Sequence, residues 1–313
     1  MKLAVTIPAY NEEGTIGEVI RRIPKKKLKE CVIIVIDDGS KDKTSEEAEL
    51  AGADLVYRFK ENRGLAYAFK KGIDLALNSG ANLIVNIDGD GQYDPEEIPL
   101  LVQPIVDGEA DIVLGSRFEG WIEQMPWRKR IGNIFATKVT SALSGIKISD
   151  AQTGFRALSR EAASSLNIIS GYTYTQEMII QAANKDLKIV EVPCNFRKRR
   201  EGSSRLITGM FGYARKAGLT IIRTYRDYKP LRTFMFIGGI IFFIGILMGL
   251  RVLYHFFLTG AVTPYLPSAL LSGVLLIIGF QVMILGLIAE MVGNNRRLME
   301  QILYKFRKEE SEK

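Results

Sequence analysis

The sequence predicts an α/β domain built on a doubly wound sheet, followed by an α-helical transmembrane hairpin. Three observations predict this architecture. Short apolar, β-branched runs alternate with helical segments over residues 1–205. Clusters of polar and acidic residues follow several of these runs. Residues 234–289, in contrast, are almost free of charge. The alternation indicates βαβ units, and the uncharged region is long enough to cross a bilayer twice.

Six strands and six helices are predicted in the first part of the chain. The strands are Lys2–Ile7, Cys31–Asp37, Leu55–Phe59, Leu83–Asp88, Ile112–Gly115 and Leu187–Val192. The helices lie near residues 13–23, 43–51, 63–79, 95–107, 127–144 and 174–184. Because ligands of doubly wound sheets bind at the carboxyl ends of the strands, the segments that follow the strands are the candidate site.

The composition limits the catalytic mechanisms that are open to the first domain. The net charge of +7 fits nucleic acid, an anionic membrane surface or a phosphorylated substrate, and does not select among them. Cys31 and Cys194 lack metal-ligand spacing and are expected to be packed thiols rather than a disulfide. The only histidine, His255, lies in the apolar region, which excludes histidine general-base catalysis in the first domain.

Three acidic clusters are expected at one edge of the sheet. They are Asn11-Glu12-Glu13 after the first strand, Asp37-Asp38 after the second and Asp88-Gly89-Asp90 after the fourth. Carboxylates that converge repel one another, so a bound cation is the simplest reason for the arrangement.

The turn from Asp88 to Gln92 is the most informative local feature. Two carboxylates two residues apart, separated by glycine, can point at one ion, and Gln92 can add an amide oxygen. Mg²⁺ and Mn²⁺ prefer such oxygen ligands and share their shell with substrate phosphates. The alternative is a solvated acidic turn whose charges favour the N-terminus of the next helix.

The segment after the first strand is a candidate nucleoside site. Tyr10 can stack on a base, and Glu12 and Asp38 can accept hydrogen bonds from base or ribose groups. The alternatives are a half-buried packing role for Tyr10 and a helix-start carboxylate for Glu12.

The motifs carry a resemblance to a known family. Ile7–Glu12, Val35–Ser40 with Asp42 and Thr44, and Asp88–Gln92 resemble the successive motifs of family 2 glycosyltransferases, which have the GT-A fold. The stretches 150–156, 172–178 and 191–206 resemble dolichyl-phosphate mannose synthases and related polyprenyl-phosphate glucosyltransferases. One departure is Ala66, where many relatives have a second glycine in the donor-side loop.

The resemblance implies a role for each matching residue. The donor would be held by Pro8, Ala9, Tyr10, Glu12, Ile36, Asp38, Asp88, Gly89 and Asp90. Mg²⁺ or Mn²⁺ would be bound by Asp88, Asp90 and Gln92. The catalytic and acceptor-facing residues would be Asp90, Arg117, Arg130, Arg199 and Arg205, and further candidates are Asp150, Glu177 and Ser203.

The implied reaction is inverting transfer of a hexose from a nucleotide-sugar, GDP-mannose favoured, to a polyprenyl or dolichyl phosphate. A phosphate monoester is already largely ionised near pH 7, so the acceptor needs positive charge rather than a general base. Arg197, Lys198, Arg199, Arg200 and Arg205 offer that charge, or else form a basic patch at the lipid surface. No nucleic acid is expected as a partner.

The C-terminal part is predicted to anchor the domain in the membrane. Two spans are expected at about 233–258 and 265–289, within a region 232–290, followed by a charged tail at 291–313. Lysines and arginines flank the pair outside the connecting loop, which predicts that the catalytic domain and both termini are cytoplasmic. Residues 206–231 read as an amphipathic interfacial helix, or alternatively as an ordinary surface helix. Two spans per chain can act alone or assemble into a homo-oligomer.

Three alternative functions remain open. The first is a UDP-glucose-dependent polyprenyl-phosphate glucosyltransferase. The second is a processive polysaccharide synthase, against which stands the lack of a Gln-x-x-Arg-Trp segment. The third is a non-catalytic membrane scaffold, which the presence of Asp88, Asp90, Gln92 and Arg199 disfavours.

Overall fold

The computed structural model describes residues 1–28, 30–168, 174–199 and 230–312. The chain divides into two compact units, residues 1–218 with 303–313 and residues 219–302. Arg205, Ser203 and nearly all of the expected amphipathic segment 206–231 lie outside the described residues, as do the first two residues of the motif 172–178.

Within the described residues, seven strands of the first unit form one mixed sheet. They are β1 (Lys2–Ala9), β2 (Glu30–Asp37), β3 (Leu55–Arg58), β4 (Leu83–Asn86), β5 (Ile112–Ser116), β6 (Arg156–Ser159) and β7 (Ile189–Pro193). Their order in the sheet is β3-β2-β1-β4-β6-β5-β7. Every neighbouring pair is parallel except those of β6, which runs antiparallel to both β4 and β5.

Helices cover both faces of this sheet. They are α1 (Ile16–Arg21), α2 (Thr44–Leu50), α3 (Leu65–Asn78), α4 (Ile98–Val106), α5 (Trp127–Ser144), α6 (Arg160–Ser165) and α7 (Tyr174–Asn184). Alternate residues of a strand point to opposite faces. Val5 and Ile7 of β1 therefore lie in one buried core, and Ala4 lies in the other with Phe69 of α3. The two cores confirm the predicted doubly wound fold.

The sequence did not predict β6 or α6. The strand begins with Arg156, a charged residue that is uncommon in the interior of a sheet. The structure shows why it is tolerated. The guanidinium is fully buried and donates to the backbone carbonyls of Thr153, Thr175 and Ala151 at 2.8, 2.8 and 2.9 Å. These partners come from loops and from α7, so the pattern of the strand alone does not reveal them.

Two long helices follow, α8 (Pro230–Thr259) and α9 (Leu266–Glu312), and the second unit contains α8 and the part of α9 up to residue 302. The stretches Leu231–Thr259 and Leu266–Asn295 have mean hydropathies of 2.4 and 2.5 and are long enough to cross a membrane. Most of their side chains face outward rather than into the protein, unlike the core helix of a soluble domain. Both ends of α8 and the start of α9 lie close to those predicted, whereas α9 continues through the predicted tail to Glu312.

Small residues bring α8 and α9 together. A Cβ atom on Gly279 would lie 2.6 Å from the backbone nitrogen of Phe242, and one on Gly238 would lie 2.7 Å from the carbonyl oxygen of Gly279. Ser272 Oγ donates to the carbonyl oxygen of Gly245 at 2.8 Å. Close backbone approach and hydroxyl hydrogen bonds are the usual means by which helices associate in lipid.

Candidate active site

The loop after β1 is anchored to the loop after β2. Asn11 has a positive φ of 52°, and its backbone N–H donates to Ser40 Oγ at 2.9 Å. The N–H of Glu12 donates to Thr44 Oγ1 at 2.8 Å. Thr15 Oγ1 donates to the carbonyl oxygen of Gly89 at 2.9 Å, which ties the same loop to the turn after β4. The three acidic segments therefore meet at one edge of the sheet, as predicted.

Asp37 and Asp38 have different roles at the end of β2. Asp37 is fully buried and accepts hydrogen bonds from the N–H of Ser40 and from the Ser45 hydroxyl, so it organises its own turn. Asp38 accepts the backbone N–H groups of Arg63 and Gly64, both at 2.8 Å. Burial raises the pKa of Asp38, whereas the two backbone hydrogen bonds oppose this rise. Its carboxylate thus shapes the loop that resembles the donor-side loop of the family.

Asp88 is only partly exposed, and its Oδ1 atom is buried. Burial and the neighbouring Asp90 raise its pKa to about 7, and the positive charges of Arg117, Lys129 and Arg199 oppose this rise. Burial raises the pKa of Asp90 as well, against the opposing charge of Arg199. All three cations therefore act on Asp88, and Arg199 and Lys129 act on Asp90 as well.

Arg199 joins the acids of two different strands. Its guanidinium forms ion pairs with Glu12 Oε1 and, at 3.7 Å, with Asp90 Oδ2. Burial is the largest influence on Glu12 and raises its pKa, while Arg199 opposes the rise. The arginine lies 187 positions away from Glu12 in sequence, so its place beside the donor-side acids is decided by the tertiary fold.

Arg117 and Asp150 form a buried bidentate pair. Arg117 Nε donates to Asp150 Oδ2 at 2.6 Å and Nη2 donates to Oδ1 at 2.8 Å. Glu191 accepts the N–H of Asp150 at 2.9 Å and holds the loop in place. The guanidinium also lies 5.2 Å from the ring centroid of Phe196. Asp150 therefore fixes the orientation of Arg117.

Lys129 and Arg130 point in different directions at the start of α5. Arg130 is exposed, whereas Lys129 is half-buried and its ammonium group lies 5.8 Å from the centroid of the Phe196 ring. Burial is the largest cause that lowers the pKa of Lys129, and Arg117 adds to it, while Asp90 and Asp88 oppose it. Sequence reasoning missed Lys129, because two adjacent cations in a helix give no signal of which one faces inward.

The remaining predicted residues are distributed around this centre. Pro8 and Ala9 accept backbone N–H groups from Gly89 at 3.3 Å and from Asp38 at 2.9 Å, so they join the three strand ends. Tyr10 is half-buried in the same loop. Ile36, in contrast, is fully buried, and its side chain packs in the core formed with α3 rather than at the strand ends.

Gln92 and Glu177 have partners of their own. Gln92 Nε2 donates to the carbonyl oxygen of Arg197 at 3.2 Å, and the N–H of Gln92 donates to Asp90 Oδ1 at 3.1 Å. Gln92 therefore links the aspartate turn to the basic segment. Glu177 is buried on α7, where Gln181 Nε2 donates to its Oε1 atom at 3.2 Å.

The aspartate turn fits a divalent cation. Asp88 Oδ1 is buried without a hydrogen-bond partner. Gly154 faces the same carboxylate, and a Cβ atom there would lie 2.5 Å from Asp88 Oδ2, so only glycine leaves room for it. Among the described residues, no group of three His, Cys, Asp or Glu side chains surrounds an ion position. The two carboxylates of Asp88 and Asp90 suit Mg²⁺, which commonly takes one or two protein carboxylates and completes its shell with phosphate and water.

Comparison with known proteins agrees with this geometry. The mixed sheet with helices on both faces is that of an α/β enzyme of the GT-A type. The chain belongs to the family described as glycosyl transferase family 2, whose sequence profile matches residues 4–166. It is therefore a glycosyltransferase.

Two relatives illustrate the family. The chain is 32% identical to polyprenol monophosphomannose synthase of Mycolicibacterium smegmatis over 64% of its own length and 80% of the relative. It is also 32% identical to UDP-N-acetylglucosamine–dolichyl-phosphate N-acetylglucosaminyltransferase of Methanococcus voltae, over 60% of this chain and 82% of the relative.

A solved structure shows the same fold. Glucosyl-3-phosphoglycerate synthase from Mycobacterium tuberculosis, in complex with Mn²⁺, uridine diphosphate and phosphoglyceric acid, superposes with a TM-score of 0.57. The identity is 24%, and the match covers 72% of this chain and 78% of that one. The likeness supports the GT-A fold of the first unit.

Proposed function

We propose that this glycosyltransferase transfers a hexose, with inversion and with the help of a divalent cation, from a nucleotide-sugar to a polyprenyl or dolichyl phosphate. The names of the two relatives, one a polyprenol monophosphomannose synthase and one a dolichyl-phosphate N-acetylglucosaminyltransferase, support the lipid phosphate acceptor. The name of the first relative supports mannose as the sugar. We take GDP-mannose, which the family resemblance implies, as the donor, with UDP-glucose as the second candidate.

The observation that carries the proposal is the charge arrangement at the strand ends. Asp88 and Asp90 form an acidic pair, and Arg117, Lys129 and Arg199 interact with it electrostatically. A site that combines acids with cations suits a reaction in which one phosphate leaves and another attacks. The acids would bind the cation that stabilises the leaving group, and the basic side chains would bind the incoming phosphate.

A divalent cation would be held by Asp88 and Asp90, with Gln92 as a further candidate ligand. When bound, Mg²⁺ or Mn²⁺ supplies positive charge that stabilises the departing nucleotide diphosphate. All other contributions come from the protein itself. Asp38 shapes the loop at Arg63 and Gly64. The half-buried Tyr10 is the residue we assign to stacking on the base.

The acceptor needs orientation more than deprotonation. A phosphate monoester carries most of its second negative charge near pH 7, so its oxygen is already a nucleophile. Arg117, fixed by Asp150, and Lys129 supply positive charge near Asp88 for it. Arg199, which pairs with Glu12 and Asp90, can exchange these acids for substrate phosphate and thereby couple the two halves of the site. Holding both reactants in line in this way accounts for a large part of the rate enhancement of such transfers.

We assign a role in this reaction to each part of the chain. Residues 1–205 carry the catalysis, residues 206–231 an interfacial segment, and residues 232–290 the membrane anchor, followed by the charged tail at 291–313. Cations flank the two spans on the side of the termini, which supports a cytoplasmic catalytic domain.

A donor panel tests the proposal. The full-length protein in nanodiscs that contain a long-chain polyprenyl phosphate is incubated with radiolabelled GDP-mannose, UDP-glucose and UDP-N-acetylglucosamine. We expect one sugar to appear in the organic phase as an acid-labile lipid, with a β anomeric signal in the NMR spectrum of the product. EDTA should abolish the product, and Asp90→Ala should abolish it in a folded protein. Labelled lipid absent with every donor contradicts the acceptor assignment.

Arg199 provides a second test of the same proposal. Arg199→Ala should lower turnover by about 10²-fold, since it removes a charge that acts on transferring phosphate. Nucleotide binding, measured by calorimetry, should change much less. Arg21→Ala, an exposed arginine of α1, is the matched control and should retain parental turnover. Normal turnover of the Arg199 variant contradicts its role.

A further inference from the structure

Among the residues that the structure describes, three buried side-chain polar atoms have no hydrogen-bond partner. They are Asp88 Oδ1, Gln152 Nε2 and Tyr174 OH. Buried polar groups of folded proteins are nearly always paired, so each exception needs a physical reason. A divalent cation accounts for the carboxylate oxygen of Asp88, because Mg²⁺ prefers such ligands. Neither an amide nitrogen nor a protonated phenol is a preferred ligand of this ion, so Gln152 and Tyr174 need another partner.

One buried arginine holds the backbone at both of these residues. The guanidinium of Arg156 donates to the two carbonyl groups that flank Gln152 and to the carbonyl group of the residue that follows Tyr174. Arg156 is fully buried, so these hydrogen bonds are shielded from water. The loop around Gln152 and the start of α7 are therefore fixed against each other.

The same loop reaches the aspartate turn. Gly154 follows Gln152 by two residues, and a Cβ atom on Gly154 would lie 2.5 Å from Asp88 Oδ2. Two residues of chain span at most about 7 Å, so the backbone of Gln152 lies within that distance of the glycine. Burial raises the pKa of Tyr174, and the charge of Asp88 adds to the rise, so the phenol stays protonated. All three unpartnered atoms therefore belong to one region around Asp88.

The ring of Tyr174 is held by packing, and only its hydroxyl group lacks a partner. The ring stacks on Phe69 of α3, with the centroids 4.3 Å apart and an interplanar angle of 28°. Tyr174 is 2% exposed. Gln152, in contrast, is partly exposed although its amide nitrogen is buried. The region therefore combines a rigid hydroxyl group in the interior with an amide at which it meets the surface, where a ligand has access.

The position of this region beside the aspartates indicates the ligand that it would bind. In the proposed reaction the donor diphosphate is held at Asp88 and Asp90 through a divalent cation. The hexose is bonded directly to that diphosphate, so it must lie in the immediate surroundings of the two aspartates. A sugar hydroxyl group can accept a hydrogen bond from an amide N–H and can both donate to and accept from a phenol. Neutral donors and acceptors of this kind suit a sugar better than a phosphate, which requires cations.

We propose that Gln152 and Tyr174 determine the sugar specificity of the enzyme by binding hydroxyl groups of the donor hexose. This inference rests on the proposed function for the nucleotide-sugar donor and is independent of the acceptor. A site that pairs buried polar groups with a substrate hydroxyl rejects the analogue without that hydroxyl by about 10⁴-fold, because the protein groups then stay unpaired. Gln152 and Tyr174 thus select the sugar, whereas Asp88 and Asp90 act on the diphosphate that every such donor carries.

Thermal unfolding of the donor-free, full-length protein separates this role from a structural one. Tyr174→Phe and Gln152→Met each remove an unpartnered polar group and change the side-chain volume little. We expect the thermal midpoint in detergent, without nucleotide, to be unchanged or raised, because no hydrogen bond of the folded protein is lost. A clear fall of the midpoint in either variant would assign that residue to the structure of the protein interior and overturn its part in sugar binding.

Calorimetry measures the recognition of the sugar itself. The full-length protein is titrated in Mg²⁺, without acceptor, with GDP-mannose, UDP-glucose, UDP-N-acetylglucosamine and the corresponding nucleoside diphosphates. For the nucleotide-sugar that the parent binds most tightly, Tyr174→Phe and Gln152→Met should each weaken binding by up to about tenfold, the effect of one hydrogen bond. Binding of the matching diphosphate should not change. Equal losses for both ligands, or no loss for the nucleotide-sugar, overturn the inference. Because no acceptor is present, a missing lipid product contradicts the acceptor assignment alone.

Monodeoxy analogues of the preferred donor identify the hydroxyl group that is recognised. By kcat/KM the parent should use one analogue at least about 10³-fold less well than the donor, and the site variants should reduce this discrimination to about tenfold. Tyr57→Phe in β3 and Gln103→Met in α4 make the same chemical changes away from the aspartates and should retain the parental discrimination. Undiminished discrimination in both site variants would show that other residues select the sugar.

Discussion

At the scale of single residues, the site depends on carboxylates that are buried at an energetic cost. The Oδ1 atom of Asp88 is buried without a hydrogen-bond partner, and Asp90 adds repulsion. A buried acid of this kind destabilises the fold unless a cation or a proton neutralises it. The cost is retained because the same feature suits the aspartate to hold a divalent ion.

This cost predicts how stability depends on pH. In the folded protein Asp88 has a pKa raised to about 7, whereas an unfolded aspartate has a pKa of about 4. Its contribution to the free energy of unfolding is fully present below about pH 4 and is lost as the pH rises to about 7. Asp88→Asn should therefore abolish transfer and yet raise the thermal midpoint in EDTA, more at pH 8 than at pH 4.5. Scanning calorimetry in detergent at a fixed scan rate measures the difference, and a shift that is equal at both pH values contradicts the assignment.

Lys129 and Arg130 offer a matched pair of substitutions. Lys129 interacts with Asp88 and Asp90, and Arg130 is exposed. Lys129→Gln should lower kcat/KM by about 10²-fold, the cost of removing a charge aimed at a reacting phosphate. Arg130→Gln should change it by less than about threefold, since an exposed charge is screened by solvent. The opposite ranking would restore the role that the family resemblance implied for Arg130.

At the scale of secondary-structure elements, the loop before β6 supports the aspartate turn. Tyr93 OH accepts the N–H of Gly154 at 3.1 Å and lies 3.3 Å from Thr153 Oγ1. Burial raises the pKa of this tyrosine, so it stays a neutral hydrogen-bonding group. The loop thereby holds Gly154 against the Asp88 carboxylate, and Arg156 fixes its other end through three carbonyl oxygens.

Gly154→Ala tests this contact between loop and turn. The new Cβ atom would lie 2.5 Å from Asp88 Oδ2, so we expect loss of transfer and a destabilisation of about 1–3 kcal/mol, as for other overpacked sites. Asp88→Ala removes the atom that clashes. The double variant should therefore lose less stability than the sum of the two single variants, measured as thermal midpoints. Strict additivity would show that the two residues do not touch.

At the scale of the whole molecule, the chain consists of two compact units with different contents. The first unit contains the sheet and the site, and the second holds two helices that approach closely at glycines. Apolar burial between helices provides little driving force in lipid, so the hairpin depends on close packing and on hydrogen bonds such as that from Ser272 to Gly245.

Substitutions at two glycines of α9 distinguish the effect of helix packing on stability from that of helix propensity. A Cβ atom on Gly279 would lie 2.6 Å from the backbone of Phe242, whereas one on Gly273 would meet nothing within 4 Å. Gly279→Leu should separate α8 from α9 and lower the temperature at which the detergent-solubilised protein loses its monodisperse size-exclusion peak. Gly273→Leu should leave that temperature unchanged or raise it, since leucine favours a helix. Equal effects at both positions contradict the packing of the hairpin.

The sequence by itself determined the alternation of strands and helices, the two apolar helices and the meeting of the acidic segments. Each of these is encoded locally, by the periodicity of apolar residues and by the rule that parallel strands end at one edge. Asp88 and Asp90 were predicted in this way, and the structure brings them together with Arg117 and Arg199.

Only the tertiary structure decided the remaining features. In the structure, β6 lies antiparallel between β4 and β5. Lys129 rather than Arg130 faces the acids, and Arg199 pairs with Glu12. Trp127, Ile131 and Phe135 of α5 are exposed, which the predicted helix 127–144 did not reveal. The physical reason is common to all of them: these outcomes depend on contacts between residues far apart in the chain, and no local pattern records which side of a helix or strand meets its partner.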